Sequence, residues 1–218
     1  MASLGRVLLA RDTATPAVTV AVADGATVLA ERSVVDARRH GELLAPTIAA
    51  VLADAGVDRR SLTRIAAGVG PGPFTGLRVG LVTARTLGAV LDIPVVGGCT
   101  LDALALQSAR GGDFRVVTDA RRRLVYWAAY TTDGGLRRVD GLHVDTPADV
   151  AWPGPAVGAG AATYADSFPG HCGPGHPSAA ALCSWVARGL PLLAPDPLYL
   201  RRPDAVERDM QSARKRVL

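Results

Sequence analysis

The chain has 218 residues, 49% of them hydrophobic, and its 24 Lys and Arg against 20 Asp and Glu give a formal net charge of +4. That length suits one large or two small domains with packed cores, and three scattered cysteines, Cys99, Cys172 and Cys183, exclude a disulfide framework or a Cys-x-x-Cys centre. No apolar run reaches a membrane span, because Arg78 and Arg85 interrupt the best candidate, and the opening Met1 to Arg6 lacks a signal-peptide core, so a cytoplasmic protein is expected.

Taken in order, Val7 to Ala10, Val18 to Ala23 and Thr27 to Ser33 read as a three-strand meander, with turns at Asp12-Thr13-Ala14-Thr15-Pro16 and Asp24-Gly25. Leu43, Leu44, Ile48, Val51 and Leu52 then mark an amphipathic helix closed by Gly56, which Pro46 should kink or confine to the residues beyond it. Ile65 to Val69 is a short buried strand. It runs into Gly70-Pro71-Gly72-Pro73-Phe74-Thr75-Gly76-Leu77-Arg78-Val79-Gly80, a glycine and proline turn joined to a helix that stops at Asp92-Ile93-Pro94. The turn has two readings: a cradle of backbone N–H groups for an anion, or a tight connection only.

In the long helix Gly76, Gly80, Ala84 and Gly88 recur every four residues, so small side chains line one face and admit another backbone. Apolar residues cover most of the remaining circumference, which means burial on more than one side. Either this is the central helix of its own domain or one side belongs to a partner chain. The predicted interface is Leu44, Ile48, Leu77, Gly80, Ala84 and Gly88.

Pro94 to Gly97 is a further strand and Thr100 to Ala109 a helix, and Gly111-Gly112 marks a boundary between halves 1–110 and 111–218. The second half restarts with strands at Phe114 to Thr118, Leu124 to Thr131 and Leu136 to Val144, with Asp119 at its first turn where the first half has Asp12. Residues 153–177 read as loop around a possible strand at Ala156, and 178–190 as a helix that packs back on the first half. Arg214-Lys215-Arg216 lies in a flexible basic tail. The arginine pairs and triplet at 38–39, 59–60, 121–123, 137–138 and 201–202 are dispersed without interleaved aromatics, so a solvated surface is favoured over a nucleic-acid face.

Duplicated meanders with an Asp at each first turn resemble the actin, sugar-kinase and heat-shock ATPase superfamily. The expected fold is α/β and two-lobed, each lobe a mixed sheet with flanking helices. More narrowly, Asp12-Thr13-Ala14-Thr15, the segment Gly70 to Gly80, Asp119-Ala120-Arg121-Arg122 with Val125-Tyr126, and Pro197 to Ala205 together resemble the TsaB (YeaZ) family. Pro73 departs from that pattern, which has serine there, and so lacks a hydroxyl and an N–H.

The resemblance implies a non-catalytic subunit that binds and activates a TsaD-like transferase in bacterial synthesis of threonylcarbamoyladenosine at position 37 of tRNA. It further implies a TsaE-like ATPase within the complex, tRNA as the complex's substrate, and a homodimer when TsaD is absent. No cofactor, metal or catalytic residue is expected. TsaD-like proteins carry His-x-x-x-His where this chain reads Thr100-Leu101-Asp102-Ala103-Leu104, and His40 is followed four residues later by Leu44, which favours a cap or surface role. His171, Cys172 and His176 lack a fourth ligand at zinc spacing. The nucleotide-contact candidates are Asp12, Thr13, Gly70 and Gly72, weakened by the absence of glycines beside Asp12 and set against a turn-capping role. A stand-alone actin-like ATPase is the alternative, and a peptidase is disfavoured because no Ser, His and Asp arrangement or zinc helix is present.

Overall fold

A computed structural model describes residues 6–201. The basic tail at Arg214 to Arg216 lies outside the described residues. Near-continuous apolar runs, buried on both faces in the first two strands, and the turns at Asp12 and Gly25 produce β1 (Val7–Asp12), β2 (Ala17–Asp24) and β3 (Thr27–Val35) as an antiparallel meander. β4 (Leu62–Gly68) pairs parallel with β1, and β5 (Val95–Gly98) parallel with β4, giving the order β3-β2-β1-β4-β5. A second sheet repeats the plan. β6 (Phe114–Asp119), β7 (Val125–Thr131) and β8 (Arg137–Asp145) form the meander, β9 (Ala156–Val157) joins β6 in parallel, and the order is β8-β7-β6-β9.

The two faces of the first sheet carry different helices. Leu9, Val18, Val20 and Val22 pack under α1 (His40–Asp54) and α2 (Phe74–Leu91), while Leu8, Ala10, Ala21 and Ala23 meet α5 (Ala179–Ala187). α3 (Thr100–Ser108) lies against α5 and the second sheet, so Leu101 and Leu104 share a core with Phe114, Val116 and Tyr130.

Three expectations are corrected. α1 runs from His40 through Pro46, so of the two expectations for that proline the one confining the helix to the residues beyond it does not hold. A helix-interior proline costs about 3 kcal/mol, but each fully buried aliphatic side chain contributes about 1.5–3 kcal/mol, and Leu44, Ile48 and Val51 are all buried here. α2, despite Arg78 and Arg85, has the length and composition of a membrane-spanning helix, with a mean hydropathy of 1.2 over 18 residues; in this fold one face of it is the lid of the first sheet. The glycine-rich stretch after Trp152 contains a short helix, α4 (Ala159–Thr163).

The segment after α5 returns to the first sheet. Gly97 and Leu193 exchange backbone hydrogen bonds of 2.8 and 2.9 Å, and the Leu198 N–H donates to the Val69 carbonyl at 2.8 Å. Arg85 on α2 donates to the Pro195 carbonyl at 2.8 Å and pairs with Asp196, so residues 193–198 form a strap over the open edge of the first sheet.

Candidate functional site

The first turn is built from short side chains turned onto backbone. Asp12 Oδ1 accepts the Ala14 N–H at 2.7 Å, and Asp119 Oδ1 accepts the Arg121 N–H at 2.9 Å in the equivalent turn of the second sheet. The duplication therefore extends to hydrogen-bond chemistry. Asp12 Oδ2 accepts the Thr100 hydroxyl at 2.7 Å, and that hydroxyl oxygen receives the Gly70 N–H at 3.2 Å. The carboxylate is fully buried, and burial pushes its pKa above the usual carboxylate range against the pull of Thr100 and Ala14.

The glycine loop packs onto this turn. A Cβ on Gly68 would overlap the Asp12 carboxylate, one on Gly72 the Ala14 carbonyl, and one on Gly76 the Thr13 carbonyl. Thr13 Oγ1 donates to the Gly76 carbonyl at 2.8 Å, and the Thr100 N–H donates to the Gly70 carbonyl at 2.9 Å. Of the two readings of the loop, close approach of one chain segment to another is what the geometry displays. Asp12, Thr13, Gly70 and Gly72, the nucleotide-contact candidates, lie together in a buried knot.

The small-residue face of α2 is occupied from within. Gly80 sits against the Arg11 guanidinium and Thr13 Oγ1, and Gly88 against Val95 and the Ile93 carbonyl. Leu44, Ile48, Leu77 and Ala84 are buried in the first lobe's own core, so all six residues expected at a partner surface face inward. The groove exists, and Arg11 of β1, Thr13 of the turn after it and Val95 of β5 fill it. The outward face of α2 is instead Arg78, Val82, Thr86, Ala89 and Val90, with Val82 61% and Val90 76% exposed. Ala45, Pro46, Ala49 and Ala53 are exposed on α1, which packs beside α2.

Arg11, not singled out in the sequence, is 1% exposed, and none of its three guanidinium nitrogens has a hydrogen-bond partner. Burial lowers its pKa to about 9 against the opposing pull of Asp12. The available signal was a charge directly after the apolar run Val7 to Ala10. His40 is buried rather than on the surface, and its Nε2–H donates to the Thr15 carbonyl at 2.8 Å. His171 Nδ1 lies 3.1 Å from the Phe168 carbonyl and Cys172 Sγ 3.7 Å from the Ala156 carbonyl. Among the described residues no three His, Cys, Asp or Glu converge as metal ligands.

The comparisons with known proteins fit this arrangement. The family model described as TsaD: tRNA N6-adenosine threonylcarbamoyltransferase matches residues 28–169. An uncharacterized protein of Mycobacterium tuberculosis is 49% identical over 91% of this chain and 93% of its own length. The crystal structure of YeaZ from Pseudomonas aeruginosa superposes with a TM-score of 0.76 at 30% identity, over 89% of this chain and 99% of that one. The chain belongs to the TsaB (YeaZ) family. The TsaB of Escherichia coli is 36% identical over 58% of this chain and 55% of its own length.

The two mixed sheets with flanking helices are the two-lobed, actin-like architecture expected of a TsaB-type chain. The departure at Pro73 falls on the N-cap of α2, where no side chain receives the first N–H groups of the helix.

Proposed function

We propose that this chain is the non-catalytic subunit of a cytoplasmic complex that makes tRNA N6-threonylcarbamoyladenosine, and that it binds and activates a TsaD-type transferase through the outer face of α1 and α2. Membership in the TsaB family supports the role in threonylcarbamoyladenosine synthesis. The observation that carries the partner surface is an 18-residue helix whose inner face is filled by its own sheet while Val82 and Val90 stand exposed on the other. Apolar residues in a row on an outer helix face fit helix-on-helix docking, and a stable contact would bury on the order of 1,600 Å².

The same surface would pair with its own copy about a two-fold axis when the transferase is absent. A TsaE-type ATPase joins through the complex. In support of the non-catalytic role, Thr100 stands where TsaD-like proteins begin their histidine pair, and its hydroxyl is committed to Asp12.

The test is calorimetric titration of the full chain with the TsaD of the same organism, alongside the Val82→Glu and Val90→Glu double variant. The variant should melt like the parent, because both side chains point outward, yet bind at least about 10-fold more weakly, a loss of about 1.4 kcal/mol. Unchanged affinity would move the interface elsewhere. Threonylcarbamoyl transfer by the isolated chain would overturn the non-catalytic reading.

A further inference from the structure

Arg38 and Arg121, from opposite halves of the sequence, line one cavity of about 190 Å³, together with Thr13, Thr15, His40 and Thr75. The N-termini of α1 and α2 open beside it, and neither has a side-chain cap. Uncapped N–H groups at the starts of two long helices favour an anion between them. Beneath the cavity's Thr13 lies the buried, unpartnered guanidinium of Arg11, a second cation source independent of the helix ends.

The positive surface continues past the cavity. Pro73 and Thr75, both in its wall, flank Phe74, whose ring stacks on Tyr199 with centroids 5.0 Å apart at 30°. Arg78 covers the same Phe74 ring with its Cζ 3.8 Å from the centroid. Tyr199 is 38% exposed, and two residues later Arg201 donates to the Ala120 carbonyl, tying the ring stack to the Arg121–Arg123 turn. Those three arginines hold φ values of 62°, 52° and 60° and are exposed. The neighbouring carboxylates are engaged locally: Asp36 accepts the Arg38 and Arg39 N–H groups and pairs with Arg39 Nε at 2.8 Å, and Asp119 accepts the Arg121 N–H with Arg121 Nε 3.8 Å away.

We propose that this rim docks the sugar-phosphate backbone of a structured RNA, one phosphate entering the cavity between Arg38 and Arg121 while Tyr199 offers a ring to an unstacked base. Interleaved arginine and aromatic groups on an open surface suit RNA, because guanidinium forks match phosphate and rings stack on bases. The fold creates the interleaving that the linear sequence lacks. Identifying the RNA as tRNA rests on the proposed function.

The measurement is fluorescence anisotropy of an end-labelled tRNA transcript with the full chain, from 50 to 200 mM salt. The parent should bind in the range of about 10⁻⁴–10⁻⁶ M, and each lost phosphate contact should shallow the log-log salt slope by about 0.7–0.9. Arg38→Glu with Arg121→Glu should weaken binding at least about 10-fold, and Tyr199→Ala at least about 5-fold, on the scale of one lost stack. Arg59→Glu with Arg60→Glu makes the same charge change on the turn before β4, and should cost less than about 3-fold. Arg38→Gln with Arg121→Gln replaces the reversal if thermal melting shows the reversed protein unfolded.

Equal losses from the rim and control pairs overturn the proposal, as does a parent that binds no tRNA. In the latter case, a melting temperature raised by inorganic phosphate in the parent but not in the Arg38/Arg121 variant assigns the cavity to a small oxyanion. A chain that binds TsaD but no RNA fails this proposal alone. Rim-dependent RNA binding without TsaD binding fails only the proposed function.

Discussion

The hydroxyl of Thr100, the first residue of α3, donates at 2.7 Å to Oδ2 of Asp12, the last residue of β1. This bond fastens the helix beside the second sheet to the central strand of the first. Because burial raises the Asp12 pKa, the folded state holds that proton more tightly than the unfolded one, so this group's contribution to stability falls as pH rises from about 3.8 through the folded value. Asp12→Asn keeps an acceptor for the Ala14 N–H without ionising and should flatten that dependence. Asp12→Ala leaves both donors unpaired and should cost about 1–3 kcal/mol. Urea melts across the acid range read both. A well-folded Asn variant that fails to support tRNA modification would instead give the carboxylate a functional task.

Gly80→Ala tests where the small-residue face points. Its Cβ would overlap Arg11 and Thr13, so the variant should lose about 1–3 kcal/mol through overpacking. For a chain of this size each kcal/mol lowers the melting temperature by about 2–4 °C. Scanning calorimetry of the isolated chain decides. An unchanged melt would return Gly80 to the partner surface.

Arg11→Met removes a buried cation without hydrogen-bond partners and fills similar space with apolar atoms. The variant should be more stable by about 1–4 kcal/mol, by analogy with replaced buried ion pairs. A destabilised variant would mean that the guanidinium makes an interaction essential to the fold.

Cysteine chemistry offers a check on burial. Cys99 and Cys183 are buried, and desolvation pushes both thiols up to about 12, whereas Cys172 is partly exposed. At pH 8 an aromatic disulfide reagent should titrate one thiol rapidly in the native protein and three in denaturant. Rapid native reaction of all three would show that the lobes open readily.

The meander, the long helix and its stop at Asp92 are legible in the sequence because they depend on local signals: short apolar runs, the turns between them, and a left-handed cap at φ 53° just before Ile93-Pro94. Periodicity also reveals that Gly76, Gly80, Ala84 and Gly88 share a face. It is silent on what meets that face, since Arg11 and Thr13 arrive from β1 and the turn after it, more than sixty residues earlier. The continuity of α1 through Pro46 is hidden because a strong local breaker is overruled by tertiary burial. The arginine rim is invisible for the same reason: Phe74 and Arg78 are one helical turn apart, but residues 38, 121 and 199 join them only through the tertiary fold.

The strap at residues 193–198 gives synthesis an order. β5 ends at Gly98, and the segment that covers its edge and reaches Val69 comes about 100 residues later, so at about 5–20 residues per second the nascent first lobe waits about 5–20 s with that edge bare. An unpaired strand edge is a template for pairing with other chains. Stalled or truncated chains that end before Leu193 therefore keep every strand of the first sheet, yet present β5 to one another, and self-association would begin at that edge rather than through loss of the core.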